Sequence, residues 1–184
     1  MKKESDIDEN KREKILWVDD EPDNLLYEKF CIEHNTQGKR YEVVMVSSIN
    51  QAVKKLNSEH YVGIILDQQI EQTHIPNLSV EEISYSGASV AWYLKNWNVF
   101  HSDKENKEKK IPHEVKTFLD NIEESRIKDI SCIKENSKIN IAVVTSVDNK
   151  GAHKFIMSIN KTDKPAWIKK PVNERALMTF VQSL

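Results

Sequence analysis

The sequence has no long apolar run. Its longest uncharged apolar stretches span four to six residues, far short of the roughly 20 that a membrane-spanning helix needs. It is also poor in cysteine. Cys31 and Cys132 lie far apart without CxxC spacing, which gives no basis for a zinc site or a disulfide framework and makes a reducing cytoplasm the expected compartment. An excess of one charge is missing too: 27 Lys and Arg face 29 Asp and Glu, for a net charge of -2, unlike the basic footprint of a nucleic-acid binder. The opening MKKESDIDENKREK lacks an apolar h-region, so no secretory signal is expected. The six histidines show no metal-ligand spacing. What is present is enough apolar material, 39% of 184 residues, to fill the core of one domain.

The first fourteen residues carry ten charged side chains, so residues 1–13 are expected to be a disordered charged tail and 14–184 a single domain. Five short, β-branched apolar runs follow: ILWV (15–18), VVMV (43–46), VGIIL (62–66), IAVV (141–144) and AWI (166–168). Each is too short for a typical helix and reads as a strand buried on both faces. Between them lie helical patterns at 22–34 (Leu25, Leu26, Phe30), 50–58 (Ala52, Val53, Leu56), 88–99 (Val90, Ala91, Leu94, Trp97), 149–160 and 173–183 (Leu177, Phe180, Val181). Strands alternating with helices imply right-handed crossovers and an open parallel α/β sheet covered on both faces.

Two stretches exceed what such crossovers need, at about 68–86 and about 98–140. The first leaves the carboxyl end of a strand, where open α/β sheets bind ligands, and is placed to cover a site there. The second returns from helix to strand, on the far edge. It contains helical material in Val115, Phe118, Leu119 and Ile122, then Ile127, Ile130 and Ile133.

Polar residues end four of the five runs: Asp19, Asp20 and Glu21 after ILWV, Asp67 after VGIIL, Thr145 and Ser146 after IAVV, and Lys169, Lys170 and Pro171 after AWI. In a parallel sheet these ends meet at one edge. Carboxylates packed there repel one another unless a cation joins them. Mg²⁺ suits such a site, because it binds through a few carboxylates together with water and phosphate oxygens. A strand-end Asp beside the ion is a competent phosphoryl acceptor, and an ammonium and a hydroxyl suit the product.

With these residues in order, the sequence resembles the receiver domain of two-component response regulators. ILWVDDEPDN is similar to that family's first strand and acidic pair, VGIILD to its acceptor strand, VVTS to its fourth strand with a hydroxyl residue, and WIKKP to its last strand with a Lys-Pro pair. The resemblance implies a flavodoxin-like (CheY-like) doubly wound five-stranded parallel sheet of order 2-1-3-4-5. It implies phosphorylation of Asp67, direct Mg²⁺ ligation by Asp20 and Asp67, a metal-bound water held by Asp19, and a ligand carbonyl from Gln69. Thr145 and Lys170 would contact the phosphoryl group, the Lys170–Pro171 bond would be cis, and Trp167 matches an aromatic whose orientation changes on activation. Gln69 and Val147 fall where family members tune water access to the acyl phosphate, and Val147 has no polar group to orient a water. After Asp67 the family usually has a short hydrophobic and Pro-Gly turn, whereas this chain has QQIEQTHIPNLSVEEISYSG.

Blander roles exist for each residue. Asp19 and Asp20 suit a helix start, Lys170 a solvated surface, Thr145 a strand, and Trp167 a core. Adjacency to Pro171 selects Lys170 over Lys169, and strand alternation sends the two to opposite faces. Only 13 residues follow Pro171, so output is expected through another protein. The leading expectation is a stand-alone receiver, not a metabolic enzyme, that takes a phosphoryl group from a histidine kinase or phosphotransfer protein and signals to a downstream protein. It would do so through a surface made by the 149–160 helix, the last strand and the last helix. The alternative is a degenerate receiver serving as a phosphorylation-independent scaffold. A phosphatase with an Asp nucleophile in a DxD pattern fits DDEPD less well.

Overall fold

Four consecutive apolar residues that are shielded on both sides must lie in the middle of a layered structure, and Ile15, Leu16, Trp17 and Val18 are all 0% exposed. A computed structural model describes residues 12–36, 40–70, 86–95, 139–146 and 166–184. In it these four residues belong to strand β1 (Glu13–Val18). It is flanked by β2 (Tyr41–Val46) and β3 (Gly63–Asp67), and β4 (Asn140–Thr145) and β5 (Ala166–Lys169) continue the sheet. All pairings are parallel and the order is β2-β1-β3-β4-β5, as expected from the sequence. β1 starts ahead of its apolar run because the Glu13 N–H donates to the Arg40 carbonyl at 2.9 Å.

The pleat divides the core. Leu16, Val18, Ile64 and Leu66 point to one face, packed under α2 (Ile49–Ser58) and α3 (Ser86–Lys95). Ile15, Trp17 and Ile65 point to the other, under α1 (Leu26–His34) and α4 (Glu174–Gln182). Such two-sided covering is what near-continuous apolar strands require. Among the described residues, two helix starts are capped by side chains: Ser48 Oγ accepts from the Gln51 N–H at 3.3 Å, and Asn173 Oδ1 from the Ala176 N–H at 3.1 Å. Leu177, Phe180 and Val181 fill the core as the helical spacing predicts.

Helix α1 departs from the expected pattern. It is preceded by a 3-10 turn, Pro22–Leu25, with Pro at its start. The expected apolar stripe Leu25, Leu26, Phe30 is only partly right, for Leu25 is buried but Leu26 and Phe30 are 59% and 55% exposed. Leu25, Cys31 and Ile32 face inward instead. Both sets have helical spacing, and the tight first turn rotates the second toward the sheet. The predicted helix at 149–160, the insertions beyond residue 70 and from 98 to 138, Val147, Cys132 and the first eleven residues lie outside the described residues. No described helix is long and apolar enough to cross a membrane.

Candidate functional site

Strand order reverses between β1 and β3, the place where open α/β sheets bind ligands beyond their carboxyl ends. Val18 pairs with Leu66, so Asp19 and Asp67 leave neighbouring strands at the same level. Each ladder runs one step further: the Asp19 N–H donates to the Val46 carbonyl at 3.1 Å, and the Gln68 N–H to the Val144 carbonyl at 2.8 Å. The backbone at both acids is thereby fixed by strands on either side. Asp19 is 1% exposed and Asp67 6%, and two carboxylates are rarely buried so near each other without a cation.

That cation is Lys170. Its Nζ donates to Asp67 Oδ2 at 2.8 Å and to Asp19 Oδ2 at 3.0 Å. The chain delivers it by continuing past β5. Thr145 pairs with Lys169, the Lys170 N–H donates to the Thr145 carbonyl at 2.6 Å, and the Lys170–Pro171 bond is cis. Lys169 is exposed and Lys170 half-buried, in keeping with strand alternation.

Asp20, half-buried, adds a third carboxylate. One oxygen from each of Asp19, Asp20 and Asp67 lies within 4.8 Å of the others, a spacing that can hold a metal ion. Glu21, which also follows the ILWV run, is not in the cluster. It is exposed, its Oε2 accepts from Asn24 Nδ2 at 2.9 Å, and its N–H donates to Asp19 Oδ1 at 3.0 Å. Gln69 joins through its backbone, donating to Asp67 Oδ1 at 3.4 Å. Thr145 is 1% exposed at the end of β4, one residue beyond the register partner of Asp67. Trp167 is partly buried against the core beneath α2 and α3.

Burial pushes the Asp67 carboxyl above its ordinary range. The bond from Lys170 opposes that shift, and the nearby Asp19 adds to it. Burial also works against the Lys170 ammonium, yet its bonds to Asp67 and Asp19 prevail and raise its pKa, so Lys170 stays charged. Two acids share one ammonium, which leaves the pocket with unbalanced negative charge that a second cation would relieve.

No family model matches the sequence, and no curated protein matches it. Solved structures do. The chain is similar to a CheY-like response regulator receiver domain protein from Methanospirillum hungatei JF-1, with 16% identity, a TM-score of 0.52, and 94% of this chain and 93% of that one covered. It is similar to a response regulator receiver protein from Pseudoalteromonas atlantica, with 14% identity, a TM-score of 0.54, and coverage of 92% and 94%. A third, at 16% identity, a TM-score of 0.50 and coverage of 94% and 97%, is the receiver domain of a sensor histidine kinase from Pseudomonas aeruginosa PAO1, with a magnesium ion coordinated in its active-site cleft. With its parallel sheet of order 2-1-3-4-5, the chain has the CheY-like fold of response regulator receiver domains.

Proposed function

We propose that this protein is a phosphoryl-accepting receiver, with Asp67 as the acceptor. The observation that carries this reading is the convergence of Asp19, Asp67 and Lys170, from three separate places in the chain, on one buried point at the carboxyl edge of the sheet. In transfer, an Asp67 carboxylate oxygen forms a bond to phosphorus as the bond from phosphorus to a histidine nitrogen of the donor breaks. The donor is a histidine kinase or a phosphotransfer protein.

Mg²⁺ fits the donor set: only hard carboxylate oxygens, two of them buried, and fewer than a full cage. Asp19, Asp20 and Asp67, with the Gln69 carbonyl, would hold it. When bound, it neutralises charge on the transferring group. The protein's own residues do the rest. Lys170 turns its ammonium from the carboxylate to a phosphoryl oxygen, and the Thr145 hydroxyl donates to another, both contacts strengthening with the added charge. The domain then signals through protein contacts and catalyses only its own phosphorylation and dephosphorylation.

Incubation with Mg²⁺ and a small phosphodonor, followed by intact mass measurement, tests this. One added phosphate is expected, absent without Mg²⁺ and absent in Asp67→Asn. No addition, or addition unaffected by that substitution, refutes the reading and favours a phosphorylation-independent scaffold.

A further inference from the structure

Helix α3 begins against the end of β3, where the acceptor sits. The Gly87 N–H donates to the Gln68 carbonyl at 3.1 Å. A Cβ at Gly87 would overlap the Asp67 carbonyl oxygen and lie 2.8 Å from its carbonyl carbon and 3.0 Å from Gln68 Cα. All three are backbone atoms, so no rotamer change makes room. The φ of Gly87 is outside the positive region, so glycine is required here for space rather than for conformational freedom. The following Ala88 and Ser89 are both 0% exposed.

We propose that Gly87 is a positioning residue for the acceptor: the bare backbone of the first turn of α3 sets where Asp67 and Gln69 stand. The inference rests on the reading of Asp67 as metal ligand and phosphoacceptor. The backbone that Gly87 touches carries the Asp67 side chain directly, and the Gln69 N–H that orients Asp67 Oδ1 is the next but one along. On its other side this backbone is clamped by the bond from Gln68 to Val144. Any side chain at position 87 therefore forces either the strand end away from β4 or the helix away from the strand, and both shift the carboxylate relative to Asp19 and Lys170. Groups that only orient ligands in this way carry a large share of metal affinity.

Gly63, at the opposite end of the same strand, supplies a matched control. The three atoms nearest to a Cβ there all belong to the side chain of Leu184, the first being Cδ1 at 2.7 Å, and that flexible tip can yield. Mg²⁺ affinity by calorimetry and the rate of phosphate addition from a small phosphodonor are to be measured on the whole chain as wild type, Gly87→Ala and Gly63→Ala, alongside thermal stability. Both variants are expected to melt earlier. Gly87→Ala should lose about tenfold or more in Mg²⁺ affinity, whereas Gly63→Ala should stay within about twofold of wild type. A folded Gly87→Ala that binds and reacts like wild type, or equal losses in the two variants, overturns the inference. A wild-type protein that neither binds Mg²⁺ nor takes phosphate instead overturns the function proposed above, and this inference with it. Should Gly87→Ala not fold, amide exchange of the wild type decides: protection at Gly87 should rise on adding Mg²⁺ by more than at Leu177 in α4, and an equal rise overturns the inference.

Discussion

Replacing Lys170 with methionine keeps most of the side-chain bulk but removes the positive charge that bridges Asp19 and Asp67. Those carboxylate side chains are 2% and 8% exposed, and the lysine side chain 25%. Removing one partner from a fully buried ion pair costs about 3–5 kcal/mol. Because the ammonium still sees water, the lower end, about 3 kcal/mol, is expected here. For a chain of this size that is a drop in melting temperature of roughly 6–12 °C. The sign of the metal effect is the sharper test. With its counter-charge gone, the pocket is more negative and should bind Mg²⁺ more tightly. Stabilisation grows with the ratio of ligand concentration to dissociation constant, about 2.7 kcal/mol at a hundredfold ratio. At one Mg²⁺ concentration the variant should therefore gain more stability than wild type, partly restoring the loss. Thermal melts with EDTA and with Mg²⁺ read both effects, with Lys169→Met as the exposed neighbour expected to stay within about 0.5 kcal/mol. A Lys170→Met protein as stable as wild type in EDTA, or one gaining no more from Mg²⁺ than wild type does, would show that the ammonium does not balance these acids.

Three further outcomes are expected. Glu59 bonds to Lys14 at 2.6 Å and Lys55 at 2.8 Å, and those bonds hold its carboxyl down from 4.5 to about 2. A depressed acid stabilises the fold above its unfolded pKa, so the advantage of wild type over Glu59→Gln should be full above about pH 4.5 and fade on acidification toward pH 2, as followed by urea midpoints; a pH-independent difference contradicts this. On α1, Ile32→Ala should cost about 2–5 kcal/mol and Phe30→Ala, on the exposed side and stacked on His34, about 0.5 kcal/mol or less, with the reverse order in denaturation refuting the assigned helix face. Val147 provides no polar group two residues beyond Thr145, so the phosphorylated protein should lose phosphate slowly in a time course of intact mass; a lifetime of seconds contradicts this.

The sheet was legible because its strands obey a simple rule. The three central ones, buried on both faces, must be apolar nearly throughout, and ILWV, VGIIL and IAVV stand out from a chain that is 30% charged. Their parallel order placed the residues that follow them at one edge, and Asp19, Asp67 and Lys170 meet there within hydrogen-bonding distance. Helix faces were less legible. In α1, Leu25 with Ile32 and Leu26 with Phe30 both satisfy helical spacing, and only the 3-10 turn from Pro22 decides which pair meets the sheet.

Within the site, what could not be read was set by backbone direction rather than by residue type. The run Asp19, Asp20, Glu21 presents three similar acids, yet Asp19 still belongs to the β ladder through the Val46 carbonyl, and its own Oδ1 accepts from Glu21 N–H and turns the chain away. Glu21 leaves the cluster because Asp19 bends the backbone, a consequence that composition does not carry. Gly87 is hidden for a related reason. Its φ is ordinary for a helix, so no turn motif marks it, and the atom that forbids a side chain is the carbonyl oxygen of Asp67, twenty residues earlier. An acid that ends a buried strand can be found by its pattern. The residue that holds the acid in place is found only once the helix and the strand are seen to touch, because a backbone atom leaves no trace in the identity of its residue.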